Sequence, residues 1–376
     1  MATTKGKNLF TPGPLNTSRG VKEAMQVDLS SRDQQFMSCV TYIRQTLLDI
    51  AQVTSEEYTV VPLQGSGTFC VEAVLQTTSP RVGAKVLVLS NGAYGCRMVT
   101  MCECARVDVD VQSFPEDQPL LLSKVEEVLA SGEQWTTVAM VHCETSSGVV
   151  NPVEAVGRLV RLHQPKAAYL VDAMSSFGVI PVNMRAAGVD YLVSSANKCL
   201  EGVPGFGYAI CRKEHLLSCK GNCRVLSLDL AGQYLTLEAT GQFRFTPPTH
   251  SMLAFTVALR EYIEAGGLTA RAARYQENRV ILVDGMKKLG YTQLVPDRHA
   301  SPVITAFHYP KHPQFVFKEF FNKLVEKGQV IYPGKVTIAD CFRVGNIGQL
   351  FPDDMRNLLF CMEEVMKEMG LPVPLP

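Results

Sequence analysis

The pattern of hydrophobic and polar positions divides the chain into two parts that differ in how strand-like and helical stretches follow one another. From Tyr58 to about Arg212, short apolar and β-branched runs alternate with helical stretches; the runs are YTVVPLQ, AKVLVLSNG, WTTVAMVHCE, AAYLVDA, DYLVSSAN and GYAICRK. Continuous apolar strands separated by helices are typical of a parallel sheet that helices cover on both faces. This part of the sequence therefore predicts a doubly wound α/β domain.

A different pattern of strands and helices follows a long helical region that extends from about Ser251 to Leu289. Strand-like runs such as SPVITAFHY, QVIYPGK and DCFRVGNIG there alternate with helical stretches that begin near Pro313 and Pro352. This mixture predicts a small α+β domain. We expect a large domain over residues 16–265 and a small C-terminal domain over residues 266–371, with the N-terminal segment 1–15 packed near the functional site.

Composition and charge argue against several classes of function. Lys plus Arg and Asp plus Glu each number 36, so the net charge is zero and gives no reason to propose a nucleic acid or a membrane surface as partner. No apolar run is long enough to span a bilayer, and the first residues, MATTKGKNLFTPGP, lack the apolar core of a signal peptide. The close cysteine pairs CEC and CKGNC lack zinc-site spacing. We therefore expect a cytoplasmic protein without a metal site.

Polar residues collect at the carboxyl ends of the predicted strands, where open α/β sheets bind their ligands. The stretch QGSGT, residues 64–68, lies between a strand and a helix, and its glycines and the helix N-terminus suit a phosphate group. It lacks the lysine of the Walker loop and the third glycine of the dinucleotide fingerprint. A glycine turn with a Ser or Thr cap also occurs as plain structure, so this motif alone leaves phosphate binding open.

Two charged residues stand at the ends of later strands. Asp172 ends an apolar run, where a carboxylate is costly unless a cation pairs with it, although Asp also caps helices. Lys198 follows the run DYLVSSAN and precedes a loop rich in glycine and proline. A lysine, a buried acid and a phosphate cradle at adjacent strand ends are the parts that pyridoxal phosphate requires.

The motifs that surround these residues resemble those of the class V aminotransferases. They are TPGP, QGSGTFCVEAVL, SNGAYG, HCETSSGVVNP, VDAMSSFG, SSANKCLEGVPGFG, FTPPTH, YPGK and FRVGNIG, in the order of the family, from about Phe10 to Gly370. The resemblance implies the fold of the type I pyridoxal-phosphate-dependent transferases, a homodimer, and amino-group transfer. SSANKC with GVPGF, and YPGKV with CFRVGNIG, favour the branch that takes 2-aminoethylphosphonate and pyruvate as substrates.

Other functions stay open at this point. A branch of the same class that acts on alanine and glyoxylate, or on serine and pyruvate, would use the same lysine, aspartate and arginine. A catalytically silent relative that serves as a binding protein, and a dinucleotide-binding α/β protein that uses GSGT, are rivals from other classes. The intact Lys198, Asp172 and Arg343 argue against the silent relative, and the missing fingerprint glycine argues against the dinucleotide protein.

The resemblance assigns roles to individual residues of this sequence. It makes Lys198 the Schiff-base lysine and Asp172 the partner of the pyridinium nitrogen. The residues that it places around the cofactor are Ser66, Gly67 and Thr68 at the phosphate, Tyr94 on the ring face, Thr145 near the 3-oxygen, Asn197 beside the lysine, and Thr246 reaching the phosphate of the neighbouring subunit. A buried core position is the plain structural alternative for Tyr94.

The resemblance also implies an arginine for the substrate anion. Arg343 matches that residue, and a guanidinium fork suits a carboxylate or a phosphonate. A phosphonate has three acceptor oxygens and up to two negative charges, so it needs more donors than one guanidinium supplies. Arg32, and backbone N–H groups near Pro12 and Gly13, are our candidates for the remaining contacts.

Overall fold

The computed structural model describes residues 6–376. Its strands are β1 (Asn8–Leu9), β2 (Tyr58–Gly65), β3 (Lys85–Ser90), β4 (Asp108–Ser113), β5 (Thr137–Val141), β6 (Cys143–Glu144), β7 (Val149–Val150), β8 (Ala168–Asp172), β9 (Tyr191–Ser195), β10 (Gly205–Arg212), β11 (Ile304–His308), β12 (Gln329–Val330), β13 (Tyr332–Pro333) and β14 (Cys341–Gly345). Its α-helices are α1 (Arg19–Ala24), α2 (Gln34–Ile50), α3 (Gly67–Thr78), α4 (Ala93–Cys104), α5 (Leu122–Leu129), α6 (Val153–His163), α7 (Lys213–Ser218), α8 (Leu230–Thr240), α9 (Thr249–Glu264), α10 (Gly267–Lys288), α11 (Phe317–Glu326) and α12 (Pro352–Glu368).

The central sheet has seven strands in the order β2-β10-β9-β8-β5-β3-β4. Neighbours from β9 to β4 run parallel, and β10 runs antiparallel to both β9 and β2. Strands β5, β8 and β9 are buried along their whole length, and separate apolar clusters pack on the two faces of the sheet. The prediction of an α/β fold with a mostly parallel, helix-covered sheet is confirmed.

The reversed strand β10 follows from the length of the connection before it. Only residues 196–204 separate β9 from β10, and they contain no helix. A parallel neighbour requires a crossover of a dozen or more residues, so this connection turns back on itself. The tight loop holds Lys198 at the carboxyl end of β9, at the edge of the sheet where β2 and β8 also end.

A second sheet, with the order β11-β14-β13, lies in the C-terminal part of the chain. Its core of aromatic and aliphatic side chains includes Phe307, Phe342 and Leu358, and residues from α10, α11 and α12. Residues 265 and 266 separate α9 from α10. The division into domains at 16–265 and 266–371 stays a prediction.

The N-terminal segment crosses from the C-terminal part of the chain to the central sheet. Residues 1–5 of the predicted segment 1–15 lie outside the described residues. Strand β1 pairs in parallel with β12, and the N–H of Gly345 donates to the carbonyl oxygen of Phe10. The chain then passes Lys198, as described below.

Residues 6–376 show neither a membrane-spanning helix nor a cluster of metal ligands. None of the helices there combines the length and the apolar composition that a bilayer crossing requires. No group of three or more His, Cys, Asp or Glu side chains in the same residues is arranged to hold a metal ion.

Candidate active site

A cavity opens at the carboxyl ends of β2, β8 and β9. Most of the side chains that the sequence singled out lie on its wall. The wall consists of Ser66, Gly67, Thr68, Val71, Tyr94, Arg97, Met98, Met101, Thr145, Asp172, Met174, Ser195, Asn197 and Lys198. Strand ends that are distant in sequence meet here because parallel strands place their carboxyl ends at one edge of a sheet.

Lys198 extends from the β9–β10 loop into this cavity. Its Nζ donates to the carbonyl oxygens of Pro12, at 2.9 Å, and Gly13, at 3.3 Å. Burial lowers the pKa of Lys198 to about 8, and the positive charge of Arg343 acts in the same direction, while Asp172 opposes the shift. A lysine with this pKa is partly neutral near neutral pH, so its amine can act as a nucleophile or accept a proton.

Gly13 allows the N-terminal segment to lie against the lysine. A Cβ atom at this position would lie 2.5 Å from the carbonyl oxygen of Asn197 and 2.9 Å from Cδ of Lys198. The backbone of Gly13 also has a φ of 105°, which side chains rarely adopt. Glycine is therefore required here for two independent reasons, and both concern the environment of Lys198.

Asp172 is a buried carboxylate at the end of β8. Its Oδ1 accepts a hydrogen bond of 2.9 Å from the N–H of Met174, so it caps the following turn and also faces the cavity. Burial raises the pKa of Asp172 to about 7; the N–H of Met174 and the charge of Lys198 act in the opposite direction. A cation that entered the cavity beside this carboxyl would stabilise its ionised form.

Residues 66–68 form the start of α3 at the mouth of the cavity. Ser66 is the N-cap residue, and its exposed side chain makes no capping hydrogen bond to the helix. The first N–H groups of a helix have no partner inside it, and the helix dipole adds partial positive charge. Arg97 Nη1 donates to Thr68 Oγ1 at 3.2 Å, so a full positive charge lies beside these N–H groups. This end of α3 suits an anion such as a phosphate.

Thr145 and Tyr94 are on the cavity wall, and Arg343, which is not on it, contacts Thr145 from behind. Thr145 Oγ1 lies 2.6 Å from Ser175 Oγ, and the Thr145 carbonyl oxygen accepts a hydrogen bond of 2.7 Å from Arg343 Nη1. Arg343 is 2% exposed, and its Nε donates to the carbonyl oxygen of Pro333. Burial lowers its pKa and raises that of Tyr94. Arg343, on strand β14 of the second sheet, therefore reaches the edge of the central sheet where the cavity lies.

The remaining predicted residues lie at different distances from the cavity. Asn197 is half-buried on its wall. Thr246 is exposed and absent from the wall, and its carbonyl oxygen accepts a hydrogen bond from Gln64 Nε2. Arg32 is also exposed. At residues 12–13 the backbone presents carbonyl oxygens to Lys198, and Pro12 has no N–H, so the expected N–H donors are not what this segment turns toward the lysine.

Sequence reasoning missed two cations at this site. Arg97 follows Tyr94 by three positions on α4, and residues three apart share one face of a helix, so this spacing was a usable signal. Lys335 belongs to the motif YPGK, but nothing in its local sequence shows that it reaches α4. The structure places its Nζ 4.3 Å from the centroid of the Tyr94 ring.

Comparisons with known proteins agree with this geometry. The family model "Aminotransferase class-V" matches residues 17–328. A protein of Bacteroides fragilis (strain YCH46) named 2-aminoethylphosphonate--pyruvate transaminase is 47% identical over 362 residues, which cover 96% of this chain and 98% of the relative.

Solved structures extend the likeness to the whole fold. Alanine--glyoxylate aminotransferase from Nostoc sp. is 26% identical with a TM-score of 0.85, and the match covers 96% of each chain. Pyridoxamine-pyruvate aminotransferase from Mesorhizobium loti is 22% identical with a TM-score of 0.88, over 100% of this chain and 95% of the other. The family model covers most of the chain, and the curated relative is similar over nearly all of it. The chain belongs to the class V aminotransferase family.

Proposed function

We propose that this protein is a pyridoxal-phosphate-dependent aminotransferase that transfers the amino group of 2-aminoethylphosphonate to pyruvate, giving phosphonoacetaldehyde and L-alanine. The observation that carries the proposal is the meeting of Lys198, Asp172 and the N-terminus of α3 in one cavity. The substrate rests on the 47% identity to a relative named for this reaction.

The residues of the cavity fit the proposed cofactor. Gly67 and Thr68 begin α3 and would hold the phosphate, with Ser66 and Arg97 beside them. Asp172 is buried, and burial raises its pKa to about 7 although the charges of Lys198 and Arg97 oppose the shift. A protonated ring nitrogen beside this carboxyl would return it to its ionised form.

When bound, pyridoxal phosphate withdraws electrons from the substrate carbon that carries the amino group. Lys198 would supply the amine that holds the cofactor and, once released, would take the proton from that carbon and deliver it to the cofactor carbon on the other side of the same nitrogen. Asp172 would keep the ring nitrogen protonated. Arg343 orients the substrate by its anion, and Thr145 is held in place by Ser175 and Arg343.

The proposal includes a homodimer. Thr246 is exposed and lies outside the cavity of its own chain, which suits the role of completing the phosphate site of a neighbouring subunit. Gln64 fixes the segment by donating to the carbonyl oxygens of Phe245 and Thr246 at 2.8 and 2.9 Å. Light scattering at working dilution is expected to give twice the chain mass; a fully active monomer would refute the shared site. The cytoplasmic location also stays a prediction.

A panel of amino donors tests the reaction. Purified protein loaded with pyridoxal phosphate is given pyruvate and, in turn, 2-aminoethylphosphonate, serine and glycine, and L-alanine is measured. Alanine should form from 2-aminoethylphosphonate, and Lys198→Ala should abolish it. Alanine formed from serine or glycine alone would assign the chain to another branch of the family, and no turnover with any donor would favour the silent relative.

A further inference from the structure

Three cations lie near the Tyr94 ring, which is on the cavity wall; Arg97 is on that wall too, and Lys335 and Arg343 lie behind it. The guanidinium carbon of Arg97 lies 4.7 Å, and Nζ of Lys335 lies 4.3 Å, from the centroid of the Tyr94 ring. The guanidinium carbon of Arg343 lies 5.2 Å from the centroid of the Tyr332 ring, and the positive charge of Arg343 opposes the rise that burial causes in the pKa of Tyr94. Arg97 comes from α4, whereas Lys335 and Arg343 come from the C-terminal part of the chain, so the fold assembles this group from both sides of the cavity.

These cations repel one another without a counter-charge. Among residues 6–376, none of the three has a carboxylate oxygen within the 4.0 Å that defines an ion pair. Burial lowers the pKa of Lys335, and the charges of Arg97 and Arg343 lower it further, whereas Glu144 opposes the shift. Positive charge without a partner in a half-buried place is costly, and a bound anion relieves that cost.

Two of the three cations have other tasks. Arg97 donates to Thr68 at the start of α3, where the cofactor phosphate is proposed to bind. Arg343 uses two N–H groups to hold the carbonyl oxygens of Pro333 and Thr145, which leaves its other donors for the anion that both substrates carry. Lys335 alone has no polar partner of this kind among its described contacts, and its ammonium group has three donors.

The position of Lys335 is fixed by the loop that carries it. Residues 334–340 connect β13 to β14 and extend to the large sheet. Oε2 of Glu116, which follows β4, accepts hydrogen bonds from the N–H groups of Thr337 at 2.7 Å and Ile338 at 3.2 Å, and from Thr337 Oγ1 at 3.0 Å. Gly334 permits a tight turn, because a Cβ there would lie 2.2 Å from the carbonyl oxygen of Cys341.

We propose that Lys335 is a specificity-determining residue that binds the phosphonate group of the amino donor, and that Glu116 positions it through the 334–340 loop. This inference rests on the proposed function. It adds the residue by which the site distinguishes the amino donor from pyruvate. Arg343 alone matches the single charge and two oxygens of the pyruvate carboxylate. A phosphonate carries a third oxygen and a second charge, and Lys335 supplies the additional donor and the additional positive charge.

The test compares the two substrates in Lys335→Gln. Each half of a ping-pong reaction has its own kcat/KM, so the donor and the acceptor are measured separately in one enzyme. We expect kcat/KM for 2-aminoethylphosphonate to fall about 10- to 100-fold, as for the loss of a hydrogen bond to a charged group, and kcat/KM for pyruvate to change less than about 3-fold. Lys335→Arg should retain most of the donor activity, because it keeps the charge.

A binding measurement separates recognition from chemistry. Ethylphosphonate and propionate carry the two anions but no amine, so they bind to the cofactor-loaded enzyme without reacting. Calorimetry should show weaker binding of ethylphosphonate to Lys335→Gln than to the wild type, with propionate unaffected. Lys166→Gln is the control, because this exposed lysine lies between α6 and β8, at the opposite edge of the sheet from Asp172; neither ligand should bind it differently.

The failures of the two proposals differ. If the wild type does not use 2-aminoethylphosphonate, the proposed function is wrong, and the role of Lys335 is lost with it. If the wild type uses this donor but Lys335→Gln lowers kcat/KM for both substrates equally, or for neither, the proposed function stands and the inference about Lys335 is wrong. A loss confined to the donor, with weaker ethylphosphonate binding, supports it.

Discussion

Two groups of buried or half-buried charges lie on either side of Lys198, and they are built in opposite ways. On one side, both carboxylate oxygens of Glu201 have partners. Oε1 contacts Arg271 at 3.1 Å, lies against Arg274 and accepts from the Tyr275 hydroxyl at 2.6 Å, while Oε2 accepts from Gln349 at 2.7 Å. On the other side, Arg97, Lys335 and Arg343 lie near Tyr94 without a carboxylate partner within 4.0 Å in residues 6–376.

The difference separates a structural role from a ligand-binding role. Glu201 follows Lys198 by three positions, and its N–H donates to the Lys198 carbonyl oxygen at 2.8 Å. The paired charges therefore fasten the lysine loop to α10. Arg97 and Arg343 have neutral hydrogen-bond partners, but none of the three cations has a counter-charge, and they gain one only when an anion binds. We call these the paired cluster and the unpaired cluster below. Predictions for Arg343 and Glu201 test the distinction, and those for Lys198 and Asp172 test the site itself.

The largest effect is expected for Lys198→Met. Activity should fall at least about 10⁴-fold, because the amine that holds the cofactor and moves the proton is gone. The free energy of unfolding of the cofactor-free protein should stay the same or rise at pH 7, because burial holds the Lys198 pKa at about 8 and disfavours its charged form there. Kinetics and urea unfolding measure the two quantities; a loss of stability would mean that Lys198 is structural.

Arg343→Lys should show the next largest effect, on both substrates. Lysine keeps the charge but loses the planar fork and the bonds to Pro333 and Thr145. We expect kcat/KM to fall about 10²- to 10³-fold for 2-aminoethylphosphonate and for pyruvate alike, as for loss of a charged bidentate contact. A fall for one substrate only would contradict the assignment of Arg343 to the anion that both share.

The paired cluster is tested by Glu201→Gln. Two arginines would lose their carboxylate inside the protein, which should lower the apparent free energy of unfolding by about 3 kcal/mol. Glu238→Gln is the matched control, because Glu238 pairs with Arg44 where its side chain is 46% exposed, and it should cost less than about 1 kcal/mol. Urea unfolding of both variants checks this; equal effects would remove the distinction between buried and surface pairs.

The last prediction concerns Asp172→Asn and has a defined pH dependence. In the folded protein Asp172 has a pKa of about 7, against an ordinary 3.8, so the folded state binds this proton more tightly than the unfolded chain. The cofactor-free wild type must then lose stability as the pH rises from about 4 to about 7. Asparagine still accepts from the N–H of Met174 but has no such proton.

The expected difference in unfolding free energy between Asp172→Asn and the wild type is therefore close to zero near pH 4. It should grow to about 4 kcal/mol in favour of the variant at pH 8, because the pKa differs by about three units between the two states and each unit is worth about 1.4 kcal/mol. Urea unfolding at both values measures it. If the difference is the same at both pH values, the folded protein does not disfavour the ionised form of Asp172.

Much of the fold was visible in the sequence because its cause is local. The buried strands β5, β8 and β9 are continuous apolar runs, and the polar residues that follow them meet in one cavity as parallel strand ends must. The antiparallel β10 was not expected from its own apolar pattern, which does not encode direction. The short 196–204 connection was the signal, since it is too short for a parallel crossover.

The site was only partly visible, for a physical reason. Lys198 and Asp172 stand out because each breaks an otherwise small or apolar environment. Lys335 and Glu201 sit in polar loops, where a charge is unremarkable, and their roles arise from contacts with residues 241 and about 70 positions away. Whether a charge is paired is a property of the folded chain, so the two clusters could be told apart only in the structure.

The central claim is that Lys198 is the one lysine built to hold the cofactor, and peptide mapping tests it most directly. Protein loaded with pyridoxal phosphate is reduced with borohydride, which fixes the cofactor to the amine that holds it, and is then digested and analysed by mass spectrometry. The account predicts the added mass on the peptide that contains Lys198, and no labelling of that site in Lys198→Met. Label on Lys335 or another lysine in the wild type, or no label at all, would contradict it.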